Sequence, residues 1–349
     1  MEGFGPDRSR ITTEAVQPPL NLLTEYALAD RAEQASPVTI AGGLLFVEGT
    51  NKLYAVELES GDERWSMNLA GAYFSPAVVD GIVYVRSERG ADGSVYALRA
   101  DTGAKLWQHK FERVGSKYDN VGGHVTSPVV VEGLVLVGAA ESLFALDAKS
   151  GAMVWRYDTE FPVISSAAVA EGVAYIGDFT RLYALDLKTG QEQWRFEHGQ
   201  MSLFFAPIVV GEQVALASFD TIYMLDRMSG DQRWSKRFDD MQVIPAGASS
   251  RHLYVKATTQ LWAVDLQDGK VVWNYATTNF VSMPAITNDQ LYVITRSEGS
   301  RQVRALQQSD GREIWRAEQA DLANAAPVIA GGRVYVRVGD GRVLVYEAS

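Results

Sequence analysis

Cysteine is absent from the 349 residues. That absence excludes disulfide staples, thiolate metal sites and cysteine nucleophiles, and it leaves the redox compartment open, since a chain without thiols is indifferent to it. Histidine is scarce. The four residues His109, His124, His198 and His252 show no paired spacing, which argues against a transition-metal centre. Positive charge is also short, with 32 Lys and Arg against 43 Asp and Glu and a net charge of -11, which argues against nucleic acid or an anionic lipid surface as the main partner. No run approaches the roughly 18 to 20 apolar residues needed to span a bilayer as a helix. The opening Met1-Glu2-Gly3-Phe4-Gly5-Pro6-Asp7-Arg8 is not a secretory signal, so the expectation is either a cytosolic protein or a trimmed mature form. Neither a nucleophile elbow nor a phosphate-binding glycine loop is present.

What is present is repetition. Apolar residues make up 47% of the chain, enough for a large core, and the stretch Leu182-Tyr183-Ala184-Leu185-Asp186-Leu187-Lys188-Thr189-Gly190-Gln191-Glu192-Gln193-Trp194 recurs at intervals of roughly 40 residues, the mark of a solenoid or a propeller. A small residue, a glycine six places on and a tryptophan four places later appear as Ala55, Gly61, Trp65; Ala97, Gly103, Trp107; Ala145, Gly151, Trp155; Met224, Gly230, Trp234; Ala263, Gly269, Trp273; and Ala305, Gly311, Trp315. Seven of the eight tryptophans obey this rule. The remaining one, Trp262, aligns with Tyr54, Tyr96, Phe144, Tyr183 and Tyr223 and reads as core.

The spacing predicts two strands joined by a turn. Leu182 to Leu185 describes a strand buried on both faces, Asp186 to Gly190 a turn whose glycine takes a positive φ, and Trp194 lies on the returning strand. An indole lies over such a hairpin only above a small residue, hence the alanine. Its N–H needs an acceptor, most simply a carbonyl in the same turn. Met224 in place of alanine predicts a less neat fit.

Each unit reads as four strands, A to D, beginning near Ser36, Ser75, Ser127, Ser166, Ala206, Pro245, Met283 and Ala326. That is eight starts and seven tryptophan strands. The last unit runs out after strand C at Val343-Leu344-Val345-Tyr346, while Leu20 to Ala29 is a strand-like run with no hairpin of its own. Joining the two ends completes an all-β, eight-bladed β-propeller of four-stranded antiparallel blades and removes an exposed edge. Residues 1–17 are polar and aperiodic and read as a flexible tail; residues 18–349 read as a single propeller domain.

The pattern resembles the pyrroloquinoline-quinone-type (PQQ-like) repeat with its tryptophan-docking motif, found in quinoprotein alcohol dehydrogenases and in the non-enzymatic BamB lipoprotein branch. The resemblance implies structural docking roles for Trp65, Trp107, Trp155, Trp194, Trp234, Trp273 and Trp315. The enzymes imply a quinone, a calcium ion, a catalytic Asp and, in several, a vicinal disulfide that this chain lacks. Asp119, Asn120, Asp239, Asp240 and Asn324 supply oxygen donors, but no spacing selects them. The expectation is therefore no cofactor and no metal, with a PQQ- and calcium-dependent dehydrogenase as the alternative. The BamB branch implies a protein-binding scaffold, extracytoplasmic in the cell envelope and monomeric, engaged with a protein partner. A ligand-sensing extracytoplasmic domain of a larger protein is a further alternative.

Binding resides in loops on a rigid scaffold, and the D-to-A and B-to-C connections share one rim. The longest, Glu112 to Thr126, carries Lys117, Tyr118, Asp119, Asn120 and His124. The B-to-C loops add Arg86, Glu88, Arg89, Arg296, Glu298 and Arg301, and aromatic and thioether side chains are interleaved there, Tyr73, Phe74, Phe161, Phe204, Phe205, Phe280 and Met283. The same loop also reads as an insertion without a ligand, because length there costs little, and the aromatics as plugs between blades. His109, His198 and His252 read as solvated. For stability, Trp155→Ala is expected to cost about 3 to 5 kcal/mol as a buried aromatic truncation and Tyr118→Ala little, measured by urea unfolding.

Overall fold

The computed structural model describes residues 10–28, 36–49, 51–69, 75–87, 93–111, 126–163, 165–197, 206–240, 242–297, 300–319 and 321–349. Their strands form eight antiparallel sheets, each built from strands consecutive in sequence except the last, which takes its outermost strand from the N-terminal end of the chain. This is the all-β, eight-bladed β-propeller expected. Blades 1 to 7 span residues 39–68, 77–110, 129–158, 168–197, 208–237, 244–276 and 279–319. Strand A of blade 7 is broken into Asn279–Phe280 and Ala285–Ile286. The chain divides into two compact units: residues 76–245 hold blades 2 to 5, and residues 10–75 with 246–349 hold blades 6 to 8 and blade 1.

Local chemistry sets the turns. Between strands A and B, Asp80-Gly81 and Glu132-Gly133 both take left-handed φ (49° and 73°, 48° and 77°), the mirror-image turn whose twist matches that of the flanking strands. Between strands C and D, the Asp186 carboxylate accepts from the backbone N–H of Lys188 and Thr189 (3.1 and 2.9 Å), and Gly190 N–H closes on Asp186 O at 2.8 Å. Asp147 and Asp226 repeat the arrangement. The hydroxyls of Ser150 and Thr189 first, and these backbone bonds second, hold Asp147 and Asp186 below the usual range, and Arg233 is the leading cause that brings Asp226 to about 2. Every outer strand then carries a bulge one residue before the tryptophan position, at Val154 in blade 3, where Ala145 pairs with Trp155 and Leu146 with Met153. Bulges of this kind twist a strand and re-aim its side chains.

The small-residue pairing is as expected, with Ala55, Ala97, Ala145, Ala184, Met224, Ala263 and Ala305 each opposite a repeat tryptophan. Met224 is fully buried. The acceptor, however, is not in the tryptophan's own turn. Trp107 Nε1–H donates to Ala148 O (2.9 Å), Trp155 to Leu187 O (2.9 Å), Trp194 to Arg227 O (3.1 Å) and Trp273 to Gln308 O (3.0 Å), each on the following blade. The glycine of that next turn lies under the ring. A methyl group built on Gly151, Gly190, Gly230 or Gly311 would come within 2.5 to 2.7 Å of the indole from the preceding blade. The repeat glycine therefore answers two demands, a left-handed φ and a flat landing for its neighbour's indole. Two residues past the tryptophan, Tyr157 bonds Glu192 and Tyr275 bonds Glu313 (2.6 Å), again across to the next blade. Burial first, and the carboxylate second, push both phenols above the ordinary tyrosine range.

The core accordingly lies between consecutive blades. One apolar cluster joins Ala145, Trp155 and Val163 to Ala174, Ile176, Tyr183 and Leu185; another joins Ala168, Tyr175 and Ala184 to Val209, Val214 and Leu216. Phe280 is buried among Tyr254, Trp273 and Ile286, which places this aromatic as a plug between blades.

The seam is closed as expected. Leu20–Tyr26 pairs antiparallel with Val343–Ala348, from Leu20 opposite Ala348 to Tyr26 opposite Val343. Residues 10–17 of the segment read as a tail are held against blades 7 and 8. Ile11 bridges Ile286, Tyr292 Oη donates to Val16 O (2.7 Å), and Gly332 N–H donates to the Glu14 carboxylate (3.0 Å). Val16 is buried.

Two glycines in blade 4 separate backbone strain from docking. Gly172 (φ +73°) has open space around it, whereas Gly190 (φ +71°) faces Trp155. Replacing either by alanine carries about 1 to 2 kcal/mol of left-handed backbone cost. Gly190→Ala is expected to lose about 1 to 3 kcal/mol more by overpacking, read as the difference between the two urea midpoints.

Candidate functional site

Of the rim residues singled out by sequence, Tyr73, Phe74, Glu88, Arg89, Lys117, Tyr118, Asp119, Asn120, His124, Phe204, Phe205 and Glu298 lie outside the described residues, as does His198. Arg296 and Arg301 are described and are brought together. They face each other across the B-to-C hairpin of blade 7 as a register pair. Arg296 is exposed. Arg301 is half-buried and its Nη1 donates to Leu322 O in the connection leading into blade 8. Burial lowers the pKa of Arg301, Arg296 adds to the effect by repulsion, and Asp321 opposes it. One arginine is thus free to meet a partner, and the other ties the rim together.

His109 and His252 are not solvated as expected. Both are half-buried: His109 Nδ1 lies 3.0 Å from Gly151 O, and burial pulls His252 below the ordinary histidine range. Trp262 is half-buried within strand C of blade 6, opposite Val255 and Asn274.

Near the end of strand B sit three charged residues that sequence reasoning passed over, Glu48, Lys256 and Arg337, together with Arg86, which it placed on the rim and which is buried instead. Glu48, Arg86, Lys256 and Arg337 occupy one register position, each two residues past the partner of the repeat's small residue or its equivalent, Val345. Arg86 is buried, its Nη1 donates to Gly138 O on the next blade, and its guanidinium lies 5.2 Å from the centre of the Phe111 ring. Arg337, only 1% exposed, makes the same reach across the seam, donating from Nη1 to Glu48 O (3.0 Å) and Ser36 O (3.4 Å) on blade 1. Its Nε and Nη2 meet no acceptor among the described residues. Burial brings its pKa down to about 10, with the Glu48 charge pulling the other way. Ser36 Oγ in turn donates to the Glu48 carboxylate (3.2 Å). The signal was available in the sequence: Val83-Tyr84-Val85-Arg86 and Val334-Tyr335-Val336-Arg337 are the same four-residue run ending in the same cation. Lys256 ends the matching Leu253-Tyr254-Val255 run, and burial lowers its pKa.

Among the described residues no group of three or more His, Cys, Asp or Glu side chains is placed to hold a metal, Asp239 and Asp240 included; Asp119 and Asn120 lie outside the described residues. No helix among the described residues is long and apolar enough to cross a membrane. What the described residues offer is a series of blades with exposed Arg296 on the B-to-C hairpin of blade 7.

A family model described as outer membrane protein assembly factor BamB matches residues 14–112, 91–242 and 218–349, nearly the whole chain. The chain belongs to this family. A curated BamB-family relative, the outer membrane protein assembly factor BamB of Shewanella oneidensis, is 22% identical over 323 residues, covering 90% of this chain and 71% of the relative. Among solved structures, BamB from Moraxella catarrhalis is similar at a TM-score of 0.54 and 17% identity, covering 94% of this chain and 99% of that one. Quinohemoprotein alcohol dehydrogenase from Comamonas testosteroni reaches a TM-score of 0.73 at 15% identity, covering 97% and 79%. An enzyme thus superposes better than an assembly factor does. Likeness at this level is of fold alone, and blade geometry does not carry activity.

Glu48→Gln removes the negative charge that offsets the burial of Arg337 and is expected to lower stability by about 1 to 3 kcal/mol, and by less when made together with Arg337→Met. Urea unfolding of the two variants checks both halves.

Proposed function

We propose that this BamB-family chain is a non-catalytic scaffold for protein assembly in the cell envelope, binding a protein partner through the rim formed by its D-to-A and B-to-C connections. The observation that carries the reading is the family match along nearly the full chain. The blade-to-blade docking supports it, because side chains on loops are positioned only as well as the frame beneath them. Exposed Arg296, beside the anchored Arg301, offers the partner a positive charge on an otherwise acidic protein. Charge of this kind on a rim acts mainly on association rate and specificity. The chain works without a redox quinone in this reading, and a titration with quinone and calcium is expected to leave its tryptophan fluorescence unsaturated.

A photo-crosslinking side chain at position 296 tests the scaffold role in intact envelopes. The expected result is an adduct with a component of the outer-membrane protein assembly machinery, reduced severalfold when Arg89 is reversed to Glu. No adduct, or an equal yield from the same group at Lys188 in a C-to-D turn, overturns the reading.

A further inference from the structure

Strand length singles out blade 7. In blades 6 and 8, which share its compact unit, the ladder between strands B and C ends two residue pairs past the one that holds the repeat's small residue or its equivalent, at Lys256 opposite Leu261 and Arg337 opposite Val343. In blade 7 the ladder runs five pairs past Tyr292 and Ala305, to Ser297 opposite Ser300. The three extra pairs lengthen this hairpin by about 10 Å. Its neighbours lengthen with it: Asn279–Phe280 pairs with the inner side of the extension, and the outer strand runs on to Gln319. Among the described residues this is the only sheet with a fifth strand.

The extension sets Asn279, Arg296, Arg301 and Gln319 in one row as successive register partners. Directly opposed residues project from the same face of a sheet, and alternation along the strands says which face this is. Tyr292, Ala305 and Trp315 lie on it too, and Trp315 packs on Tyr346 of blade 8. Two guanidiniums are therefore held side by side on the blade 8 side of the sheet. Like charges opposed in this way destabilise a ladder. Arg301 has one acceptor, Leu322 O, and that carbonyl is itself fixed, because Leu322 is fully buried and bridges Val338. Arg296 is exposed and makes no hydrogen bond or ion pair among the described residues. Asp321 is exposed and attracts Arg301 without forming an ion pair with it.

We propose that the extended hairpin of blade 7 takes an acidic, extended segment of the protein partner, with two of its carboxylates lying on Arg296 and Arg301. The inference rests on the scaffold reading for a protein as the partner and adds the chemistry of the segment that this protein presents. Charge complementarity selects the occupant: two adjacent cations stand on a chain whose net charge is -11, and a guanidinium receives a carboxylate through two parallel hydrogen bonds. The dimensions agree. Alternate side chains of an extended segment lie about 7 Å apart and neighbouring strands about 5 Å apart, so two long arginine side chains reach two such carboxylates. The amides of Asn279 and Gln319 supply further donors at either end of the row. Anchoring Arg301 in advance lowers the ordering cost of binding. The repulsion that burdens the free hairpin is relieved when anions lie against the two cations.

The probe is a peptide, Gly-Ser-Glu-Thr-Glu-Ser-Gly, titrated into isotopically labelled full-length protein. The expected result is saturable shifts at the backbone amides of Asn279, Arg296, Arg301 and Gln319, weakened by salt and absent for the analogue with both glutamates replaced by glutamine. Arg296→Gln is expected to weaken binding about tenfold and to raise the urea midpoint, because it removes one of two opposed charges; a merely structural arginine would lower that midpoint. Shifts elsewhere or nowhere, equal binding of the glutamine analogue, or unchanged binding by Arg296→Gln each overturn the proposal. Phosphatidylglycerol vesicles that shift the same amides where the peptide does not overturn it in favour of a lipid surface, and self-association lost in Arg296→Gln overturns it in favour of a second copy. A photo-crosslinking side chain at Ser300 in intact envelopes separates this inference from the scaffold reading. An adduct with the assembly machinery through an acidic segment supports both. An adduct through a segment without carboxylates overturns the inference alone, and an acidic peptide bound in solution without any such adduct overturns the scaffold reading alone.

Discussion

The contact on which this protein depends is an indole of one blade lying on a glycine of the next, with its N–H on that turn's carbonyl. Each half of the contact is useless alone. A four-stranded blade has apolar side chains on both faces and buries neither without neighbours, as the clusters shared by consecutive blades show. The glycine admits the ring because it has no Cβ, and it suits the turn for the same reason. One residue type thereby couples the folding of a local hairpin to the packing of the blade before it. Buried arginines at the end of strand B repeat the logic with a guanidinium, reaching carbonyls of the following blade in both compact units.

Much of this was legible in the sequence. The period of the tryptophans gave the blades, and the mismatch between eight starts and seven tryptophans pointed to a seam completed by Leu20 to Ala29. The direction of docking was not legible. The spacing from Ala145 to Trp155 is identical whether the indole folds back on its own turn or reaches the next, and only the three-dimensional stagger decides that Trp155 meets Gly190. Arg337 was overlooked and Arg86 was read as a rim residue because a cation near a loop reads as solvated, although the identical Val-Tyr-Val-Arg runs carried the message. Tyr26 was invisible for a different reason: two residues past Thr24, which holds the tryptophan's register position, it donates to Leu58 O and covers Gly61 as an indole does elsewhere.

The rim was least legible, and the cause is physical. Loops obey no period, so Lys117 or His124 stands out only by composition, and composition does not say which groups converge. Blade geometry cannot fill that gap, since it is shared with a quinohemoprotein dehydrogenase more closely than with an assembly factor. Function enters instead through family membership along the chain, while blade 7 leaves Arg296 exposed beside an anchored Arg301.

Closing the last blade with Leu20–Tyr26 has a consequence for biogenesis. That strand leaves the ribosome before any blade exists, yet its partner, Val343–Ala348, is translated some 300 residues later, roughly 15 to 60 s at ordinary elongation rates. During that interval Leu22 and Leu23 travel on a nascent strand with no mate. Vectorial synthesis therefore leaves the hydrogen bonds that complete this blade until Val343–Ala348 has been made.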